Sequence, residues 1–583
     1  MDVERDNREG GDAEPKFEDT VSERSIDSTA KAAHVQGVAR IAAISAAFTL
    51  PLKSVLFIGI FLVAYSYGLD ATLRGTFQTI ATNNFQHHSM LGTVNTVRAI
   101  LAAAIQPPYA RVADKFGRVE LLFFSIFFYV IGTIVVAASN NVNSFTGGQL
   151  LYQVGYTGLM LLIEVLIADV TSLQNRVLFS FVPALPFLIN TWVSGDIAQV
   201  TSEHAGWRWG IGMWCIILPV CAVPLFLPIF MAKRRAAAQG KLPPRRQPDD
   251  NRTTAQRLIG LVEEIDLVGI LLLSAMLTLI LLPLTLAGGA TQTWRTARII
   301  VMLVFGVICI PLFAIWELKF AKYPCVPFHA LTDRTIISGL IIAIGLNMSW
   351  YLQGDFLFTV LTVSFDQTVK DATRIASLYS FASVICGVLT GVGVRYTRRV
   401  KPFAMAGTLV FILAMGLLIK YRTGEAGVAG MIGSQVILGV GGGLFSYPVQ
   451  AIVQAASSHE HMATVTALYL AFYQIGSALG NAISTAIWTQ VLPNSLLEKL
   501  GDADLAASAY AAPLDFAAEY PHGTPQRISM VAAYSQVQRY LAITGLCLSV
   551  ITFVASCFLR NFRVDSRQSL TEDERKGRVT VSN

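Results

Sequence analysis

Residues 55–70 read VLFIGIFLVAYSYGLD. From Val55 to Leu69 no residue is charged, and then a carboxylate, Asp70, appears while the pattern is still that of a membrane span. An acid at mid-bilayer is unfavourable by roughly 2.5–3.5 kcal/mol even on the lower scales. The stretch therefore predicts a spanning helix whose acid meets something other than lipid.

The rest of the chain extends that reading. Hydrophobic residues make up 53% of the 583 and charged residues 14%, where soluble proteins carry about 25% charged. A soluble fold this apolar could not cover its surface, so most of the chain is expected to face lipid. The seven cysteines form no CxxC pair, which is neither a disulfide framework nor a zinc pattern. Residues 1–30 are polar and lack the apolar core of a signal peptide. They read as a disordered tail, and VQGVARIAAISAAFTL (35–50) is too short to span.

A spanning helix needs about 20 mostly apolar residues, and on that basis fourteen candidates are found. They lie near 54–78, 90–110, 119–139, 147–169, 175–196, 209–231, 265–287, 297–317, 335–361, 373–394, 402–420, 427–455, 463–490 and 535–559. Basic residues gather in three connections: Arg111, Lys115 and Arg118; KRR at 233–235; and VRYTRRVK at 394–401. Fourteen spans put all three on one side with both termini, which the positive-inside rule makes cytoplasmic. The long loop expected at 491–534 is acidic and falls outside.

The second half echoes the first. YSYGLD (65–70) is matched by WYLQGD (350–355), and Gly155 and Gly158 by GVGGGLF (439–445). Parallel halves with a site at their interface are a transporter architecture. The expected organisation is an all-α membrane protein with a tail and juxtamembrane segment to residue 50 and a six-helix bundle at 51–231. A linker at 232–264, two inserted helices at 265–334, a second six-helix bundle at 335–560 and a tail at 561–583 complete it.

Certain stretches are familiar. ARVADKFGR (110–118) resembles the loop between spans 2 and 3 of the major facilitator superfamily, although Ala110 stands where that pattern has Gly and Val119 where it has a basic residue. The resemblance implies a conformational lock formed by Asp114, Gly117 and Arg118. GWRWG (206–210) and IDLVG (265–269) resemble fourteen-span members. YQVGYTGLMLLIEVLIADVTSLQNR (152–176), GVARI (37–41) and PHGTPQR (521–527) are similar to fungal siderophore–iron transporters. That likeness implies proton-coupled import of ferric siderophores by alternating access, most readily at the plasma membrane, with endosomal or vacuolar membranes as other hosts. Exchangers and multidrug exporters share the plan and stay open as alternatives, as does a transporter-like nutrient receptor.

Candidate residues follow from intramembrane polarity. Asp70, Glu164 and Asp355 are the coupling candidates. Asp70 has Arg74 one turn on, so a local ion pair competes with a cavity role. Asp355 has no cation within a turn, so local pairing cannot explain it, and Glu164, with none within four positions, favours its protonated form in low dielectric. Asp169 and Asp196, at span ends, read as structural, Asp169 either capping its helix or pairing across the loop with Arg176. Arg98 is either a counter-ion to Asp70 or Glu164 or a clamp for substrate. Tyr65, Tyr67, Trp350, Tyr351, Gln353, Tyr447, Tyr473 and Gln474 suit a bulky, weakly charged ligand. Tyr510, Phe516, Tyr520 and His522 of the outer loop either touch that ligand or pack the loop down.

Bare metal would need clustered ligands. The close histidine pairs, His87–His88 and His459/His461, read as solvated loop residues, so no metal site and no cofactor are expected. HExxH, GxSxG and phosphate-binding glycine loops are missing, which argues against an enzyme. The expected partners are a chelate carrying the iron, protons and lipid, with no nucleic acid, and a monomer is expected.

Overall fold

A computed structural model describes residues 47–171, 178–240, 265–288, 293–324, 333–424, 427–456 and 462–561, with positions 260, 262 and 263. The tail, GVARI, Arg176, most of the linker, Cys325, His459, His461 and the stretch from 562 lie outside them, as does the side chain of Asp114. Among the described residues all regular structure is helical.

The first group is α1 (Leu50–Asn84), α2 (Met90–Phe116), α3 (Arg118–Ala137), α4 (Val142–Val170), α5 (Phe187–His204) and α6 (Trp214–Ala238). A short helix, Gly206–Gly212, leads into α6. Next come α7 (Leu267–Leu286) and α8 (Ala297–Ile315), the latter wound onward as a π turn to Phe320. The last group is α9 (Arg334–Gly354, continued by Leu357–Val363), α10 (Val369–Thr397), α11 (Lys401–Tyr421), α12 (Gly427–Ala455), α13 (Met462–Leu500) and α14 (Pro525–Cys557). Counted with their extensions, twelve of these are long and apolar enough to cross a membrane. The other two, α2 and α13, are 27 and 39 residues long.

Several helices outrun their apolar stretches. The 35 residues of α1 rise about 50 Å at 1.5 Å each, against a hydrocarbon core about 30 Å thick. Hydropathy marks only the part in hydrocarbon, while intrahelical bonding carries the polar turns beyond it. For the same reason the expected loop at 491–534 is mostly helix: α13 reaches Leu500, α14 starts at Pro525, and the segment between holds short helices Ala503–Ala511 and Pro513–Glu519. Likewise α6 runs through the basic KRR before the linker begins.

Small residues set the packing. A Cβ on Gly132 of α3 would stand 2.1 Å from the Tyr152 nitrogen, and one on Gly155 of α4 would stand 2.3 Å from that of Tyr129. Only glycine lets these backbones approach so closely. The glycines of 439–445 do the same in α12, Gly443 lying against the Ser383 carbonyl of α10.

Two apolar cores result. One is built almost wholly from residues 56–229 and the other from 336–559. The first takes in Ala467 of α13 and the second Leu91 of α2, so these two helices stitch the cores together. α7 lies on that seam, Leu273, Leu277 and Leu281 packing with Ala99 and Ala103 of α2 and Ala478 and Ala482 of α13. α8 is the most peripheral span, with 11% of its apolar stretch buried.

Candidate transport pathway

At the end of the molecule that carries segment 501–524, called here the capped end, the two cores are tied by polar contacts. Asp196 of α5 pairs with Lys370 and Arg374 of α10, both at 2.6 Å. Thr76 and Thr373 hydroxyls meet at 3.0 Å. Asn83 at the end of α1 donates to Asp515 at 2.9 Å and accepts from the Leu514 nitrogen at 3.0 Å. His87 is exposed, but His88 is buried, contrary to the solvated pair expected from sequence. Its nitrogen reaches the Ala511 carbonyl, its Nε2 meets Thr359 at 3.1 Å, and its ring packs against Phe356 and Trp488. Of the four outer-loop candidates, Phe516 is buried with its ring tilted against Tyr520 at 4.6 Å, Tyr510 is partly buried, and only His522 is fully exposed.

Deeper in, Asp70 and Arg74 form the i,i+4 ion pair at 3.0 Å, both buried. The Tyr129 hydroxyl donates to the carboxylate, Thr133 accepts from Arg74 Nη2 at 3.2 Å, and the guanidinium lies 3.7 Å from the Tyr152 ring centre. These partners come from α3 and α4, the helices the glycines draw together. Asp70 is therefore met by a neutralising cage inside the first core and not by an aqueous chamber.

Asp355 sits where α9 breaks before Leu357. Its Oδ2 accepts from Ser484 of α13 at 2.6 Å and its Oδ1 from Asn95 Nδ2 of α2 at 3.4 Å, so one carboxylate touches both halves. Asn95 Oδ1 accepts from Gln78 Nε2 at 3.0 Å, and Gln78 Oε1 accepts from Arg98 Nη1 at 3.3 Å. Arg98 Nε donates to Gln153 Oε1 at 3.1 Å. Of the two roles left open for Arg98, counter-ion or substrate clamp, the structure shows the guanidinium held by these two amides.

Glu164 of α4 is buried and accepts from Gln450 Nε2 of α12 at 3.3 Å, again across the halves. Around it stand the tyrosines: Tyr67 and Tyr156 edge to face at 5.8 Å, and Tyr447 against Phe181 at 4.5 Å. Tyr67 is within electrostatic reach of Tyr156, Tyr447 and Glu164. Trp350 packs edge-on to Tyr351 at 4.7 Å and beside Tyr379 at 5.8 Å. The Tyr473 carbonyl accepts from Asn347 at 2.9 Å, while the rings of Tyr65 and Gln474's amide are partly exposed. Gln353 is elsewhere: it is buried, accepting from Arg422 at 3.1 Å and Gln435 at 2.7 Å inside the second core.

At the opposite, basic end, Gly117 takes φ +110°, a value glycine alone tolerates. Arg118 pairs with Asp169 at 3.2 Å, tying the start of α3 to the end of α4. Arg118 is thus a partner of Asp169, while Arg176, the partner expected from sequence, lies outside the described residues.

Sequence reasoning missed Gln78, Asn95, Gln153, Tyr129, Tyr156, Arg422 and Gln450. Single amides and tyrosines in apolar runs give no signal of their own, and only the fold shows which of them meet. Among the described residues no group of three or more His, Cys, Asp or Glu side chains could hold a metal ion.

Comparison with known proteins places this arrangement. The Major Facilitator Superfamily pattern matches residues 56–481. The chain belongs to that superfamily. It is 41% identical over 536 residues to Siderophore iron transporter 1 of Saccharomyces cerevisiae, covering 91% of this chain and 85% of the relative. Siderophore iron transporter mirC of Emericella nidulans is 35% identical, covering 92% and 89%. Within the superfamily the chain thus belongs with the fungal siderophore–iron transporters, as the motifs at 110–118 and 152–176 imply, and it is not an enzyme. A bacterial homologue of the human lysosomal transporter Spinster, solved inward-facing and unoccupied, shares the superfamily fold. Its TM-score is 0.54 at 14% identity, over 88% of this chain and 98% of that one.

Proposed function

We propose that this chain imports ferric siderophores together with protons by alternating access. The observation that carries the reading is Glu164, a buried acid bonded across the halves to Gln450 amid tyrosines from both halves. Aromatic faces offer area to a large chelate, and the iron travels as part of that cargo. The names of the relatives supply the substrate class.

Coupling is assigned to Glu164 and Asp355, which among the described residues bond to neutral amides and a hydroxyl. Asp70, already neutralised by Arg74, is assigned to holding the first core together. Tyr65, Tyr67, Arg98, Trp350, Tyr351, Tyr447, Tyr473 and Gln474 are proposed to line the route, with Gln353 supporting it from behind.

In this reading all of α1–α14 cross the membrane, α1–α6 and α9–α14 form the two moving bundles, and α7 and α8 are inserted beside the seam. The basic end is cytoplasmic, both termini included, and the capped end faces outside at the plasma membrane, the protein acting as a monomer. The lock is Gly117 with Arg118 and Asp114.

Expression in yeast cells stripped of their own siderophore uptake tests this. Accumulation of radio-iron supplied as a ferric trihydroxamate, abolished by a protonophore, is the expected result. No uptake of any of several distinct ferric chelates, with export of a drug or a thiol peptide instead, would reverse the direction and the substrate.

A further inference from the structure

The hydrogen bonds from Arg98 to Asp355 all run one way. Arg98 Nη1 donates to Gln78 Oε1, Gln78 Nε2 donates to Asn95 Oδ1, and Asn95 Nδ2 donates to Asp355 Oδ1. The ends impose that direction, because a guanidinium only donates and a carboxylate only accepts. Each amide between them has one donor face and one acceptor face, so neither can turn unless the other turns too. The row begins beside the Tyr152 ring, 5.5 Å from the guanidinium, passes through α1 and α2 and ends in the other half at the break in α9.

We propose that Gln78 and Asn95 form a reversible amide relay that couples proton binding at Asp355 to release of the Arg98 guanidinium for oxygen atoms of the substrate. This deepens the proton-coupled import reading and rests on it. Asp355 Oδ2 holds the short 2.6 Å bond from Ser484 and Oδ1 only the long 3.4 Å bond from Asn95, so a proton arriving from water binds Oδ1. That oxygen then becomes a donor facing Asn95, and the favourable arrangement is for Asn95 to turn its carbonyl towards it. Asn95 now presents its NH2 to Gln78, which turns in response, and the Gln78 NH2 comes to face Arg98. Two donors face each other there, and Arg98 Nη1 is freed while Nε keeps Gln153. The linkage is reciprocal: oxygens bound at Arg98 hold the proton on Asp355.

The other charged or titratable groups around Asp355 do not interrupt this row. Arg422 faces it from the end of α11 but bonds to Gln353 and Gln538. Tyr351 lies one turn earlier on α9, and His88 packs on the neighbouring Phe356.

The test uses purified full-length protein in nanodiscs and a ferric trihydroxamate as probe. Wild type should bind it about tenfold more tightly at pH 5 than at pH 7.5, the order expected for one hydrogen bond to a charged group. Gln78→Leu frees Arg98 permanently and should bind tightly at both pH values. Gln78→Glu pins Arg98 and should bind weakly at both. Asn95→Leu and Asp355→Asn should each remove the pH ratio, and the double variant should remove no more than either alone. A Gln78→Leu variant that keeps the wild-type ratio, with an unchanged melting temperature, overturns the relay.

A second readout needs no chelate. The infrared band of the protonated Asp355 carboxyl, identified by its loss in Asp355→Asn, should persist to higher pH in Gln78→Leu by roughly half to one unit. Gln78 does not touch Asp355, so a packing role predicts no movement, and an unmoved band sinks the proposal. A moved band in a protein that binds no chelate would uphold the relay while overturning the siderophore reading.

Discussion

Among single residues, the three acids separate by their surroundings. Asp70 is held by a guanidinium, a phenol and a ring face, and removing a charge from such a buried pair leaves the other uncompensated, at about 3–5 kcal/mol. Asp70→Asn should therefore lower the melting temperature in detergent markedly, whereas Asp355→Asn should leave it nearly unchanged. Equal shifts in the two variants would contradict this division of roles. Glu164 has an amide for its partner, and glutamine can keep that contact without carrying a proton. Glu164→Gln should keep chelate binding and lose proton-driven accumulation at least tenfold. Uptake with wild-type pH dependence would remove Glu164 from the coupling scheme.

Helices and loops add a second kind of pH response. The loop between α1 and α2 places His88 in a pocket of Thr359, Phe356 and Trp488, and burial lowers its pKa from 6.5 to about 4. A neutral ring fits there and an imidazolium does not, so closure at the capped end is favoured above the ordinary histidine pKa. That contribution is lost progressively as pH falls from 6.5 towards 4. Labelling of a cysteine placed at Thr359 should accelerate over that window in wild type and be flat in His88→Phe. A flat profile in both would show that the ring does not report on closure. The segment 501–524 behaves as a lid already lowered, because Asn83 grips Leu514 and Asp515 and the His88 backbone nitrogen meets the Ala511 carbonyl.

For the whole molecule, alternating access requires the capped end to part. A disulfide joining Thr76→Cys and Thr373→Cys, whose hydroxyls now stand 3.0 Å apart, should stop uptake when oxidised and restore it when reduced. Unimpaired uptake by the crosslinked protein would argue against rocking halves. Much of this architecture was readable beforehand. Apolar runs marked the spans, and the echo of YSYGLD in WYLQGD pointed to repeats, because lipid imposes composition on every helix that faces it. What the sequence concealed is who meets whom inside. Gln353 and Tyr473 look alike as polar positions in apolar helices, yet one is sealed in a core and the other stands at the interface. His88, beside an exposed His87, is buried only because residues more than two hundred positions later close over it.

The 39 residues of α13 run from the basic end to the edge of the lid, with Pro493 two turns before the end, a span of roughly 58 Å at 1.5 Å per residue. A tilt of about 6° at one tip would swing the other by about 6 Å, enough to tear Leu514 from Asn83. The shutter hangs directly from the tip of the motor, and protease nicking between Gly501 and Thr524 should keep time with each turnover.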